Sequence, residues 1–307
     1  MQLTSLLLIA FAGFAAQLVD GGLGMGFGAT SMTILTTWAM LAPATASAVV
    51  NAAQLGTTVV SGFSHWRFGN VNWRIVFTIG IPGAIASFVG ATFLANLSLS
   101  AATPLTATIL AGIGLYLLIR FSRGQVQRVM NATPHSAGLL GGLGLVGGFI
   151  SATGGAGWGP VTTSALLTDG RMEPRRVVGT VNTAEVLVTI AAVLGFIFGL
   201  WDELVANFAI TLALLIGGVI GAPIAAWAVS RMNSTLLGGA VGTLLLVLNV
   251  PKILPYLGVD DEQWLTVIRV AILLIGAVVS IVGARRARRN KAALAEKEKV
   301  WSEESPS

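Results

Sequence analysis

The chain has 307 residues, 54% of them hydrophobic and only 10% charged, with a mean hydropathy of +0.82. A soluble domain carries about 25% charged residues, so this composition is not built for water. The absence of cysteine excludes disulfides, thiolate catalysis and Cys-based metal sites, and two histidines, His65 and His135, are too few for a His-rich metal centre.

Apolar segments follow one another at 3–19, 27–42, 44–64, 75–95, 103–120, 136–152, 159–168, 177–200, 204–229, 235–257 and 264–284. Between Leu3 and Ser64 the only acidic or basic side chain is Asp20. At about 20 apolar residues per crossing, several crossings fit, and the expected class is all-α, a polytopic helical membrane protein. No Lys or Arg occurs before Ala16 and the hydrophobicity continues beyond it, so the first segment is expected to be a retained helix rather than a secretory signal. After Gly283 comes a basic run, Arg285, Arg286, Arg288, Arg289 and Lys291, and then a charged tail expected to be a short frayed helix or disordered.

Internal repetition organises the chain. Gly21-Gly22-Leu23-Gly24-Met25-Gly26 matches Gly154-Gly155-Ala156-Gly157-Trp158-Gly159 with all four glycines in register. After a two-residue gap Pro43 aligns with Pro174, Asn51 and Gln54 with Asn182 and Glu185, and Gly90-Ala91 with Gly221-Ala222. The expected division is therefore a repeat at 1–125, a cytoplasmic linker at 126–134, a second repeat at 135–257, a final transmembrane helix at 258–284 and a cytoplasmic tail at 285–307.

If each glycine knot joins two pieces that enter and leave on the same side, 16 of the 18 Lys and Arg residues fall on one face and leave only Lys252 and Arg269 on the other. By the positive-inside rule the basic face is cytoplasmic, which puts the N-terminus outside and the C-terminus in the cytoplasm. The first repeat then makes an odd number of crossings, so the second is inserted upside down: two inverted repeats with glycine-rich broken or re-entrant helices. That is the architecture of many secondary transporters, with substrate held where the halves meet. Basic residues placed this way are topology signals and do not imply nucleic-acid binding.

The knots disfavour continuous helix, since an interior Gly costs about 1 kcal/mol relative to Ala. Helices restarting after them would offer free N–H groups and a positive dipole end to an anion. Gly22, Gly24, Gly26, Gly155, Gly157 and Gly159 are the expected backbone of such a site, against a plain packing role for small residues. Asn51 with Gln54 and Asn182 with Glu185 stand at i and i+3, so each pair shares a helix face. Their amides can donate to an oxyanion or bond between helices. Trp158, inside the second knot, is expected to stack on substrate, whereas Trp38, Trp66, Trp73, Trp201 and Trp264 sit near segment ends as belt residues. Gly112 is expected to be a packing glycine.

A charged carboxylate at mid-membrane costs about 2.5–3.5 kcal/mol, which marks Glu185, and with it Asp20, as candidates for proton coupling. Asp20 has the alternative role of capping the next helix. Ser31, Ser151 and Ser164 are possible nucleophiles, yet neither histidine lies within an apolar segment and there is no GxSxG elbow, so no enzyme, catalytic residue, metal or cofactor is expected. The partners expected are a small anionic substrate and the lipid bilayer, with a homodimer compatible with the sequence.

The duplicated knots, Pro43 and Pro174, Asn51 and Asn182, and the paired Gly-Ala positions together resemble the sulfite exporter TauE/SafE family of membrane permeases, over the chain up to about Gly283. The resemblance implies an inverted-repeat helical carrier in the cell inner membrane that moves sulfite, organosulfonates or related organosulfur anions. A passive anion channel, or a carrier of a different small carboxylate or oxyanion, is the alternative.

Overall fold

Local signals set the helix boundaries. Pro43 and Pro174 each occupy the first turn of a helix, where the missing N–H has no intrahelical partner to lose. Asn72 and Ser136 accept from the backbone N–H groups of Ile75 and Leu139 and so cap the helices that follow them. The computed structural model describes residues 3–23, 25–124, 135–155, 157–229 and 234–304, without the side chains of 21–23, 223, 225–229, 234 and 294–304. Gly24, Arg128, Arg231 and the expected linker at 126–134 lie outside the described residues.

The helices are α1 (Leu3–Leu23), α2 (Phe27–Thr37), α3 (Pro43–Arg67), α4 (Trp73–Ala95), α5 (Leu99–Ser122), α6 (Ala137–Gly154), α7 (Ser164–Asp169), α8 (Pro174–Ala206), α9 (Phe208–Val229), α10 (Ser234–Ile253) and α11 (Glu262–Glu304). A π-helical turn, Gly159–Thr163, leads into α7. α8 bends at Leu200, whose φ of −136° and ψ of 33° are not helical. The tail does not begin a new element: α11 runs without a break from its apolar part through the arginine run to Glu304.

Among the described residues, seven helices are long and apolar enough to cross a bilayer by length and composition: Leu3–Asp20, Trp73–Ala95, Leu99–Ser122, Ala137–Gly154, Pro174–Ala206, Thr235–Leu257 and Glu262–Ala293. Large apolar side chains such as Phe11, Ile85, Phe198 and Leu273 face outward, as a lipid-facing surface requires. The chain is a multi-pass membrane protein.

Packing relates the two halves. α1 lies along α9, and α6, its counterpart, lies along α4, the counterpart of α9. Small residues allow these approaches: a Cβ on Gly13 would meet the backbone of Leu214, and one on Gly148 the backbone of Gly83. α3 and α8, which begin at the matching prolines, pack against each other in opposite directions. Gly179, near the start of α8, lies beside His65 and Asn70 at the end of α3, while Gly62 lies beside Thr183 and Thr58 beside Thr189. α4 by contrast runs with α8, Gly80 beside Ala184, Gly83 beside Val188 and Ala91 beside Gly195.

α6 and α7 are the arms of a hairpin. Just before α6, His135 Nε2 stands 3.0 Å from Asp169 Oδ2 at the end of α7, and Arg171 Nε is 2.9 Å from the same oxygen. The glycine knot lies at the other end of the hairpin, where Gly155 is beside Met32 of α2 and Trp158 beside Gly83 of α4.

Candidate functional site

Gln54 and Glu185, equivalent residues of the two halves, meet where α3 crosses α8: Gln54 Nε2 donates to Glu185 Oε1 at 2.7 Å. Both side chains are buried. On the next turn Thr58 and Thr189, also equivalent, bring their hydroxyls within 3.5 Å. Thr189 additionally donates to the Glu185 carbonyl at 2.9 Å, which ties the turn carrying the carboxylate.

Two knots close on this pair. In the first, Gly26 has a φ of +131°, and a side chain there would also press on Val19 at 2.9 Å, so the position requires glycine. In the second, α6 ends at Gly155 in the left-handed conformation, φ 64°. A Cβ at Gly157 would overlap Ile150. Between the knots and the α3–α8 crossing is a cavity of about 20 Å³, whose polar lining is Asp20, Gln54, Ser151 and Glu185. Gly26, Gly28, Gly157 and Gly159 supply backbone, and Met25, Ala29, Trp158 and Pro160 complete the wall. The volume holds about one water-sized group. No basic side chain lines it.

The expected residues are thus divided. Asp20, Gly26, Gln54, Gly157, Trp158, Gly159 and Glu185 share the cavity. Asn51 does not reach it: its Nδ2 donates within α3 to the Ser47 carbonyl at 2.9 Å. Asn182 donates to Ser61 Oγ at 3.1 Å, a bond between α8 and α3. Gly155 packs against Met32, and Gly22 lies in the last turn of α1. Trp158 is buried between α4 and α8 against Gly83, Gly147 and Val188, with its indole N–H given to the Val181 carbonyl at 3.0 Å. Its ring is a wall held by packing.

The backbone groups also differ from expectation. The first N–H of α2, on Phe27, points at Asp20 Oδ1 at 3.4 Å, so a carboxylate of the chain itself occupies the place foreseen for an external anion. In the second knot Pro160 removes one donor from the restarting turn. Ser151 and Pro160 were not foreseen as lining residues, and the only sequence signal for either was proximity to the knot.

A second cavity, about 480 Å³ and mostly apolar, lies between α5, Ile150 of α6 and the π-turn with α7; Thr108, Gly112, Tyr116, Val161 and Ala165 line it. Pro160 faces both cavities. Gly112 is not a packing glycine, for a Cβ there meets nothing within 4 Å, whereas Gly114 two residues on abuts the Gly242 carbonyl.

The chain is 41% identical over 246 residues, 80% of this chain and 81% of the relative, to "Probable membrane transporter protein YtnM" of Bacillus subtilis strain 168. It is 26% identical over 239 residues, 76% of this chain and 95% of the relative, to "Probable membrane transporter protein YdhB" of the same organism. No solved structure matches. The family model described as Sulfite exporter TauE/SafE matches residues 9–251, and the chain belongs to this family of membrane transporters.

Proposed function

We propose that the protein is a proton-coupled carrier of small sulfur-containing anions, sulfite or organosulfonates, in the cell inner membrane, with its N-terminus outside and its tail in the cytoplasm. The halves 1–125 and 135–257 act as inverted repeats around the α3–α8 crossing, a reading supported by the opposite directions of these equivalent helices. Both knots are re-entrant tips reaching the midplane, a reading supported for the second by the contact of His135, just before α6, with Asp169 at the end of α7. The substrate class follows from membership of the sulfite exporter family.

The observation that carries the coupling is the pairing of Gln54 and Glu185 beside Asp20 in a cavity without a basic side chain. Two ionised carboxylates and an anion would place three negative charges together, and a single like-charge pair at 4 Å costs about 4 kcal/mol even at an effective dielectric of 20. A protonated carboxyl reverses this, because it carries no charge and donates a hydrogen bond. With Glu185 protonated, the carboxyl, the Gln54 amide and the Ser151 hydroxyl together form a donor set for an oxyanion. The anion therefore enters with a proton, and binding of the two is cooperative.

At about 20 Å³ the cavity is contracted and must widen to admit a sulfur oxyanion. The open cleft beside α5 and the closed packing of α10 on α2, the corresponding interface in the other half, support a one-sided state of an alternating carrier. The test is uptake of radiolabelled sulfite and short alkanesulfonates into proteoliposomes with and without an imposed pH step. Accumulation driven by the step supports the reading; saturable uptake indifferent to it removes the coupling, and no uptake removes the substrate class.

A further inference from the structure

The face opposite the arginine-rich one carries Asp202, Glu203, Asp260, Asp261 and Glu262 and two cations. Arg269 is paired, its Nη1 3.0 Å from Glu262 Oε1. Lys252 is not: half-buried at the end of α10, its Nζ donates to Thr36 Oγ1 at 3.0 Å and Thr37 Oγ1 at 2.8 Å, and among the described residues no carboxylate lies within ion-pair distance. An ammonium has three donors, so one remains for a further acceptor. A half-buried ammonium bonded only to neutral hydroxyls has no counter-charge beside it, and an anion can supply one.

The hydroxyls continue inward along one helix. One turn nearer the centre, Asn249 Nδ2 donates to Thr33 Oγ1 at 3.1 Å. The next turn holds Thr30, whose Oγ1 is buried with no partner, as is that of Ser31. Just before them Gly28 and Ala29 line the central cavity. Positions 30, 33 and 37 follow the helical period and form a column of hydroxyls on α2 from the cavity to Lys252, whereas Thr36 gives its hydrogen to the Met32 carbonyl at 2.9 Å and serves to hold the ammonium.

We infer that Lys252, with Thr36 and Thr37, is an anion-binding site at the mouth opposite the arginine-rich face, where a sulfur oxyanion docks before or after its passage along the Thr33 and Thr30 hydroxyls. This rests on the transport reading above. Lysine fits the task as a compact, strongly hydrated point charge that can release its ligand.

The experiment is exchange of radiolabelled sulfite in proteoliposomes of sorted orientation, measured from each face in the wild type, Lys252→Met and Lys252→Arg. The expected result for Lys252→Met is a KM about tenfold higher from the Lys252 face, the size of a lost charge-assisted hydrogen bond. KM from the arginine-rich face and kcat stay within about twofold, and Lys252→Arg recovers most of the loss. An unchanged KM for Lys252→Met, or an equal loss from both faces not recovered by arginine, overturns the site and leaves the transport reading intact. Absence of any sulfite exchange by the wild type overturns both.

Discussion

Gln54 and Glu185 occupy the same position in the two halves of the sequence and touch each other, amide nitrogen to carboxylate oxygen at 2.7 Å. Residues at matching positions of α3 and α8 meet only near the point where the two helices cross, so this contact marks the crossing. One half brings an amide, which never titrates, and the other an acid, which does. Glu185→Gln, the isostere of the protonated acid, is expected to retain anion counterflow while losing dependence on a pH gradient. A variant that still concentrates sulfite on a pH step would show the carboxyl to be structural.

Substitution at the knots separates binding from packing. Gly26→Val forces a β-branched residue into φ +131° against Val19, and Gly157→Val drives into Ile150; both are expected to abolish uptake. Gly142→Val, which meets nothing and lines neither cavity, is expected to leave folding and sulfite uptake within about twofold, because surface changes away from packed contacts cost within about 0.5 kcal/mol. Equal loss in all three, with protein present in the membrane, would refute a special role for the knots.

Trp158 is a structural wedge, so its variants are graded by stability. Trp158→Ala empties the space between α4 and α8 and is expected to cost about 3–5 kcal/mol. Trp158→Phe keeps most of the wall and loses only the bond to Val181, about 1 kcal/mol. Melting temperatures in detergent would rank them; a Trp158→Ala protein as stable as the wild type would contradict the packing.

His135 closes the base of the α6–α7 hairpin. Burial pushes its pKa below the usual 6.5, opposed by Asp169 and reinforced by Arg171. The unfolded chain thus takes up the proton more readily than the folded one. The stability that neutral His135 contributes is complete above pH 6.5 and declines as pH falls from there toward the lowered folded value. Between pH 7.5 and 5.5 the wild type is expected to lose more melting temperature than His135→Gln, and parallel losses would reject the assignment.

Much of this was legible in the residues. The long apolar runs foretold an all-helical, multi-pass chain, while Pro43 and Pro174, read only as landmarks of repetition, prove to open α3 and α8. Most helix boundaries followed hydropathy to within a few residues, α3 among them although its buried Ser47, Asn51, Gln54 and Thr58 make it less apolar than its surroundings; the widest departure is α11, which continues past the apolar run at 264–284 to Glu304. Spacing placed Asn51 and Gln54 on one face, but it could not say that Asn51 turns back on Ser47 while Gln54 crosses to the other half. The capping role read as the alternative for Asp20 is the one its side chain takes, across a knot seven residues long, by accepting from the Phe27 N–H. Lys252 looked like an exception to a charge count because its hydroxyl partners lie more than two hundred residues away.

The last prediction concerns the closed side. If the halves alternate, the α2–α10 contact must open once per cycle, just as the corresponding cleft between α5 and α7 stands open here. Thr33 and Asn249 join across the closed contact at 3.1 Å, and the chain has no cysteine, so a cysteine pair can be introduced without a background. In Thr33→Cys with Asn249→Cys, a short bismaleimide, its excess removed before the assay, is expected to bridge α2 and α10 through two thioethers, which sulfite does not cleave, and to stop sulfite exchange. The doubly substituted protein without the reagent, and Asn249→Cys alone with it, are expected to remain active. Binding of sulfite from the arginine-rich face, read by thermal shift, is expected to survive the bridge, because α5 and the π-turn are untouched by it. Undiminished exchange by fully cross-linked protein would mean that this contact does not open, and that the route to the central cavity runs elsewhere.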